Sequence, residues 1–281
     1  MPGLRDPNAV PAEPVALPGD AKEVVPASGW SVMARFAVVH DTSRPHGRIG
    51  LAWAAVTVAV TVAGVPWLAA WLALAAFAGA SQTAAARRGN DDHPPPALAA
   101  AVALVLPVLA VMAVRYVVLG VIVGLAMALL AGTLITNKRL GRDLCLALVI
   151  GVITGTAAAA TVLTRAASTE ACLFLLACAG IYDAGAYLVG TGASAVWEGP
   201  TAGMVALIPV TILAAVILVP PFPTGTPLAL GLLAAVLAPL GPLAGTALLG
   251  SRDADAPGLR RLDSLIFLAP AWAWLVTIIL R

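Results

Sequence analysis

Residues 171–191 read Ala-Cys-Leu-Phe-Leu-Leu-Ala-Cys-Ala-Gly-Ile-Tyr-Asp183-Ala-Gly-Ala-Tyr187-Leu-Val-Gly-Thr. A helix that crosses a bilayer needs roughly 20 apolar residues, and this stretch supplies them around a single charge. Asp183 is the only charged side chain between Glu170 and Glu198. An aspartate at mid-span costs roughly 2.5–3.5 kcal/mol on insertion scales, so its presence asks for a reason. On a helix it shares its face with Ala179, Ala186, Tyr187 and Gly190. Three of these are small, which lets a second helix or a headgroup approach the carboxylate. Two readings stay open from the residues alone: a functional acid, or an interhelical hydrogen bond.

The rest of the chain repeats the pattern. Hydrophobic residues make up 60% of the 281 positions and charged residues 11%, against about 25% charged in a soluble domain. Nine apolar blocks are long enough to read as spans, at about 49–64, 67–85, 96–114, 117–136, 144–164, 171–191, 202–219, 227–249 and 264–280. The first two share one charge-free run, Ile49 to Ala86, and Gly64-Val-Pro66 is the one plausible turn in it. The fold class expected is therefore an all-α polytopic integral membrane protein of about nine transmembrane helices.

Basic residues set the expected orientation. With the N-terminus in the cytoplasm, the outward segments hold only Arg115, Arg165 and Arg281, and the other thirteen of the 16 Lys and Arg face inward. That is a positive-inside bias, and removing one early span would scramble it. The C-terminus then lies outside, in a bacterial inner membrane. The segment after Asp183, Trp197-Glu-Gly199 and the Arg260–Asp263 loop all fall on the cytoplasmic side. A net charge of +2 is too small to imply nucleic acid.

Residues 1–46 form a separate, Pro-rich cytoplasmic tail with no apolar signal core, and disorder is expected there. Trp30, Met33, Ala34 and Ala37 share one helical face within it, either a short surface helix or a simple hydrophobic patch. Residues 47–281 form the membrane domain. The loop Asn90-Asp-Asp-His-Pro-Pro-Pro96 reads as a solvated turn or, less simply, as a metal site. Cys145, Cys172 and Cys178 all fall within apolar blocks at spacings that make no metal pattern.

A second cluster, Gly258-Leu-Arg-Arg-Leu-Asp-Ser-Leu265, opens the last block. Arg260 and Arg261 are suited to clamp a phosphate, and Asp263 to hold a divalent ion. Ordinary membrane-boundary arginines and an N-capping aspartate are the alternative.

The string Asp183-x-Gly-Ala-Tyr187…Gly190…Trp197-Glu-Gly199…Gly203, followed by Arg261-Leu-Asp263-Ser-Leu265, resembles the phosphatidate cytidylyltransferase (CDP-diacylglycerol synthase) family. The resemblance covers roughly residues 180–281 in detail. It implies CTP and phosphatidate as substrates, CDP-diacylglycerol and pyrophosphate as products, and Mg²⁺ as cofactor. It implies Asp183 and Asp263 as catalytic residues, with Asp263 also a metal ligand. Tyr187, Trp197, Glu198 and Arg261 are implied as substrate-binding residues, and Arg260 and Ser264, beside them in the second cluster, are expected to bind substrate too. Phospholipid and the membrane are the implied partners, and homodimerisation stays open.

The chain departs from that pattern at several positions. Arg260 stands where the family's Asp-Arg-x-Asp signature has its first Asp, and Gly241-Pro242 where it has Gly-Asp. Leu249-Gly250 replaces a Lys-Arg pair, Asp255-Ala-Pro257 falls near a His-Gly-Gly, and only Thr191 to Val196 fills the place of a Ser-Pro-Lys-Lys-Thr stretch. Three expectations follow: an active transferase with a reworked site, a degenerate relative that binds lipid or a partner, or an unrelated transporter or structural membrane protein. Replacing an acid by Arg260 turns a cation site toward an anion site.

Overall fold

A computed structural model describes residues 46–90, 92–191, 195, 197–219, 222–251, 254 and 256–280. The Pro-rich tail with its Trp30 and Met33 face lies outside the described residues, as do Asp91, Arg252, Asp255 and Arg281.

Every apolar block falls on helix, and no strand occurs among the described residues. The helices are α1 (His46–Ala63), α2 (Val65–Ala86), α3 (Pro96–Met112), α4 (Val114–Leu134), α5 (Lys138–Ala167) and α6 (Thr169–Gly190). There follow α7 (Glu198–Ile217), α8 (Thr226–Leu237), α9 (Leu240–Leu249), the single turn α10 (Pro257–Arg260) and α11 (Leu265–Ile279). Gly64 separates α1 from α2 at φ 131, a backbone conformation that glycine tolerates best. Pro66 then opens α2, where its missing N–H is harmless. The block 227–249 is one apolar run in sequence but two helices in space, because Pro239 interrupts the backbone ladder between α8 and α9. Side-chain caps fix two other starts: Asn137 accepts from Arg139 N and Leu140 N, and Ser168 from Ala171 N.

Six helical segments are long and apolar enough to cross a membrane: α2, α4, α5, α6, α7 and the α8–α9 pair. The shorter apolar helices are Gly50–Ala63, Pro96–Met112 and Leu265–Ile279. At 1.5 Å per residue each falls short of the roughly 30 Å hydrocarbon core. The nine blocks of the sequence are thus nine helical segments, of which six meet the length of a span.

α5 is the hub. Buried residues make up 72% of its apolar window, against 11% for α4, so α4 turns most of its surface outward. The burial on α5 follows from its small residues. A Cβ at Gly155 would stand 2.9 Å from the Ala103 backbone, so α3 and α5 approach nearly backbone to backbone. α11 crosses the same core through Trp272, fully buried, whose Nε1 donates to Ala171 O at 3.2 Å. Phe174 meets the Trp272 ring edge-on at 5.2 Å. The short α10 is fastened to α2 by Gly258 N donating to Gln82 Oε1 at 2.7 Å. That bond sets the height at which Arg260, Arg261 and Asp263 emerge.

Candidate functional site

The polar centre is assembled from three parts of the chain. α6 supplies Asp183, the 261–264 turn supplies Asp263 and Ser264, and α9 supplies Gly241, Gly245 and Thr246. Ser264 Oγ donates to Asp183 Oδ2 at 3.1 Å. Ser264 N donates to Asp263 Oδ1 at 2.8 Å. One serine therefore ties together two carboxylates that are far apart in sequence. Asp263 and Ser264 are buried, at 4% and 1% exposure, while Asp183 is partly buried.

Arg260 closes the cluster. Its Nη1 lies 3.5 Å from Asp263 Oδ2 and donates to Thr246 Oγ1 at 3.2 Å. Thr246 in turn donates to Pro242 O at 2.9 Å. The fit depends on two glycines of α9. A Cβ at Gly245 would stand 3.2 Å from Asp263 Cβ, and one at Gly241 would collide with the Asp263 carbonyl. Asp263 sits in the turn before α11, and its burial raises its carboxyl above the usual range while Arg260 pulls it back. Arg261 points elsewhere. Its guanidinium packs against Gly50 on α1, near enough to attract Asp183, and it forms no salt bridge among the described residues.

Of the residues singled out in sequence, Asp183, Arg260, Asp263 and Ser264 meet directly and Arg261 flanks them. Tyr187 follows Asp183 by one turn on α6 and is partly buried. Trp197 stands in the loop before α7 with 57% of its surface exposed. Glu198 turns one oxygen back to Ala195 N at 3.0 Å, a contact that organises the start of α7. The hydroxyl of Thr246 is a member of the cluster that sequence reading missed. Nothing local distinguishes it from other small polar residues in apolar helices.

An apolar crevice of about 210 Å³ opens beside the centre. Leu125, Val152, Ile153, Ala244, Ile266 and Phe267 line it, with Thr156. Ala244 adjoins Gly245, and Ile266 lies two residues past Ser264, so crevice and polar centre share α9 and α11. The Thr156 hydroxyl is buried with no partner.

The resemblance implies Mg²⁺, and the donor set can be tested against it. Mg²⁺ asks for near-octahedral oxygen ligation. Among the described residues no group of three or more His, Cys, Asp and Glu stands together. Of the two carboxylates present, Asp263 already faces the Arg260 guanidinium at 3.5 Å. A cation here would meet that positive side chain at short range, so the residues do not fit a resident Mg²⁺. In the 90–96 loop Asp92 is held between Arg87 and Arg142, and Asp91 lies outside the described residues. Cys172 and Cys178 are buried and Cys145 partly so, all three as free thiols.

Fold and site together define a class: an all-helical, multi-pass membrane protein with a buried carboxylate–guanidinium centre. No protein-family model matches this chain, and neither does any curated protein or solved structure.

Proposed function

We propose that this chain is a lipid-binding protein on a phosphatidate cytidylyltransferase-like scaffold, in which Arg260 takes the place of a catalytic cation. The observation that carries the proposal is the position of Arg260 Nη1, 3.5 Å from Asp263 Oδ2 and 3.2 Å from Thr246 Oγ1. In this reading the positive charge that nucleotidyl transfer would recruit from a metal is built into the chain, and it neutralises Asp263 permanently. The convergence of Asp183, Asp263 and Ser264 supports the scaffold, because those residues were singled out by motif and lie 81 positions apart across the Ser264–Asp183 bond. The apolar crevice beside Ile266 and Phe267 suits an acyl chain. Arg261, without a salt bridge among the described residues, faces the phosphate of an anionic phospholipid. In this reading the three shorter segments join the six full-length ones to give nine passages of the bacterial inner membrane, with the N-terminus in the cytoplasm and the C-terminus outside, which would put Arg260 and Arg261 at the cytoplasmic headgroup level.

Purified full-length protein tests this in two assays. Lipid extraction followed by mass spectrometry should recover bound anionic phospholipid from wild type and much less from Arg261→Ala. Incubation with radiolabelled CTP, phosphatidate and Mg²⁺ should leave no label in lipid. Label that appears with wild type and disappears in both Asp183→Asn and Asp263→Asn would make the protein a working transferase and overturn the proposal.

A further inference from the structure

A second polar assembly lies away from Asp183, where α2 ends and α5 begins. Arg87, just past α2, reaches three acceptors on two elements. Its Nη1 pairs with Asp92 Oδ2 at 3.1 Å, its Nε donates to Leu248 O at 2.7 Å, and its Nη2 donates to Ala247 O at 2.8 Å, while Arg142 Nη2 takes the other oxygen, Asp92 Oδ1, at 2.7 Å. Arg87 is thereby fixed, and it also caps the carbonyl end of α9. Asp92 is fully engaged by two guanidiniums. Beside them opens a cavity of about 420 Å³ lined by Arg87, Asp92, Lys138, Arg142, Gly132 and Cys145.

The lining carries three cations and one carboxylate, a surplus of two positive charges. Asp143 on α5 is not part of the lining and accepts from His93 N at 3.0 Å. Lys138 is exposed and forms no salt bridge among the described residues, so it is able to move onto a ligand, while Arg142 stays paired with Asp92 and presents the 56% of its side chain that is exposed. Gly132 in the last turn of α4 and Leu146 on α5 complete the lining, and the outward surface of α4 beyond it is apolar, with Leu130 and Leu134 46% and 72% exposed. A ligand with a negative headgroup and an apolar tail meets both surfaces at once.

We infer that this crevice is an anion site for a phosphate or phosphodiester group, the headgroup of an anionic lipid whose chains lie along α4. Lys138 supplies the mobile charge, and Arg87 and Arg142, both held by Asp92, supply the fixed ones. The site shares no residue with the Asp183–Arg260 centre and does not depend on the function proposed for it.

Cys145 reports on the cavity from inside. It is the one partly accessible thiol, since Cys172 and Cys178 are fully buried. Full-length protein in phosphatidylcholine nanodiscs should alkylate at Cys145 with N-ethylmaleimide. Discs containing phosphatidylglycerol should slow that reaction, and the Lys138→Gln/Arg142→Gln variant should need about thirtyfold more anionic lipid for the same protection, as expected for losing two charges at a membrane surface. Lys138→Gln alone breaks no salt bridge and gives a smaller shift of the same sign, which keeps the test standing if the double variant fails to fold. A parallel arm with inorganic phosphate in pure phosphatidylcholine discs separates the sources: protection there with none added by phosphatidylglycerol assigns the site to a soluble phosphate. Arg261→Ala should leave all of these rates unchanged. If neither arm protects Cys145, or the double variant is protected as well as wild type, the site does not exist.

Discussion

The two charged assemblies solve opposite problems with the same residue types. At the centre two carboxylates, Asp183 and Asp263, share Ser264, Arg260 pairs with Asp263 and donates to the Thr246 hydroxyl, and Arg261 turns toward α1. At the rim one carboxylate, Asp92, serves two arginines beside a free-standing lysine. Charge in the centre is balanced from within and largely sealed, with Asp263 at 4% exposure. Charge at the rim is in excess and open. A buried ion pair is costly to break because the survivor stays buried, whereas an exposed surplus is cheap to alter and free to bind. The centre is therefore expected to matter most for stability and the rim most for ligands.

Removing the central cation should give the largest effect. Arg260→Ala leaves Asp263 buried with no guanidinium and is expected to destabilise by about 3 kcal/mol, toward the low end for a broken buried pair because the Arg260 side chain is 21% exposed. Adding Asp263→Asn should recover most of the loss, since the orphaned charge is then gone. Unfolding of detergent-solubilised protein followed by circular dichroism measures both. A single variant as stable as wild type would mean that Arg260 balances nothing, and the contrast between centre and rim would collapse.

Much of this was legible in the sequence, for reasons that vary by region. The helices were readable because bilayer length imposes long apolar blocks, and even the α1–α2 break followed from Gly64 and Pro66. The break before α9 was not, because Pro239 is one of several prolines inside apolar stretches, and Pro209 and Pro270 sit within helices without splitting them. Asp183, Asp263, Ser264 and Arg260 were found together because a motif named them. Thr246 was hidden, since its role rests on α9 meeting the 261–264 turn. The ion pairs of Asp92 were hidden in a loop that reads as a solvated turn or a metal site. Its partners Arg87 and Arg142 lie on different elements, and local spacing says nothing of contacts between α2, α5 and α9.

The rim should respond in the other direction. Asp92→Asn strips the carboxylate from two arginines, but Arg87 keeps both of its carbonyl partners on α9 and Arg142 reaches water. A loss of about 1 kcal/mol is expected, on the scale of a charged hydrogen bond with substitutes at hand. The same change raises the positive surplus of the cavity, so phosphatidylglycerol should protect Cys145 at lower content than in wild type. A stability loss matching that of Arg260→Ala, with weaker protection, would show that Asp92 belongs to a balanced core like the centre.

The smallest effect tests the helix that joins the two assemblies. α9 presents Thr246 to Arg260 and the carbonyls of the next two residues, Ala247 and Leu248, to Arg87. Thr246→Val keeps the shape of the side chain and deletes only the hydroxyl. That removes the bond from Arg260 and the one to Pro242 O, but the latter is a bond within the helix that its own backbone makes redundant. Arg260 retains Asp263 at 3.5 Å and some access to water. The expected cost is therefore about 0.5–1 kcal/mol, with the rate of Cys145 alkylation unchanged because Arg87 still grips Leu248 O. If Val at this position costs as much as Arg260→Ala, the hydroxyl rather than the carboxylate holds the guanidinium. If it also alters Cys145, α9 transmits strain between centre and rim, and the two assemblies act as one site.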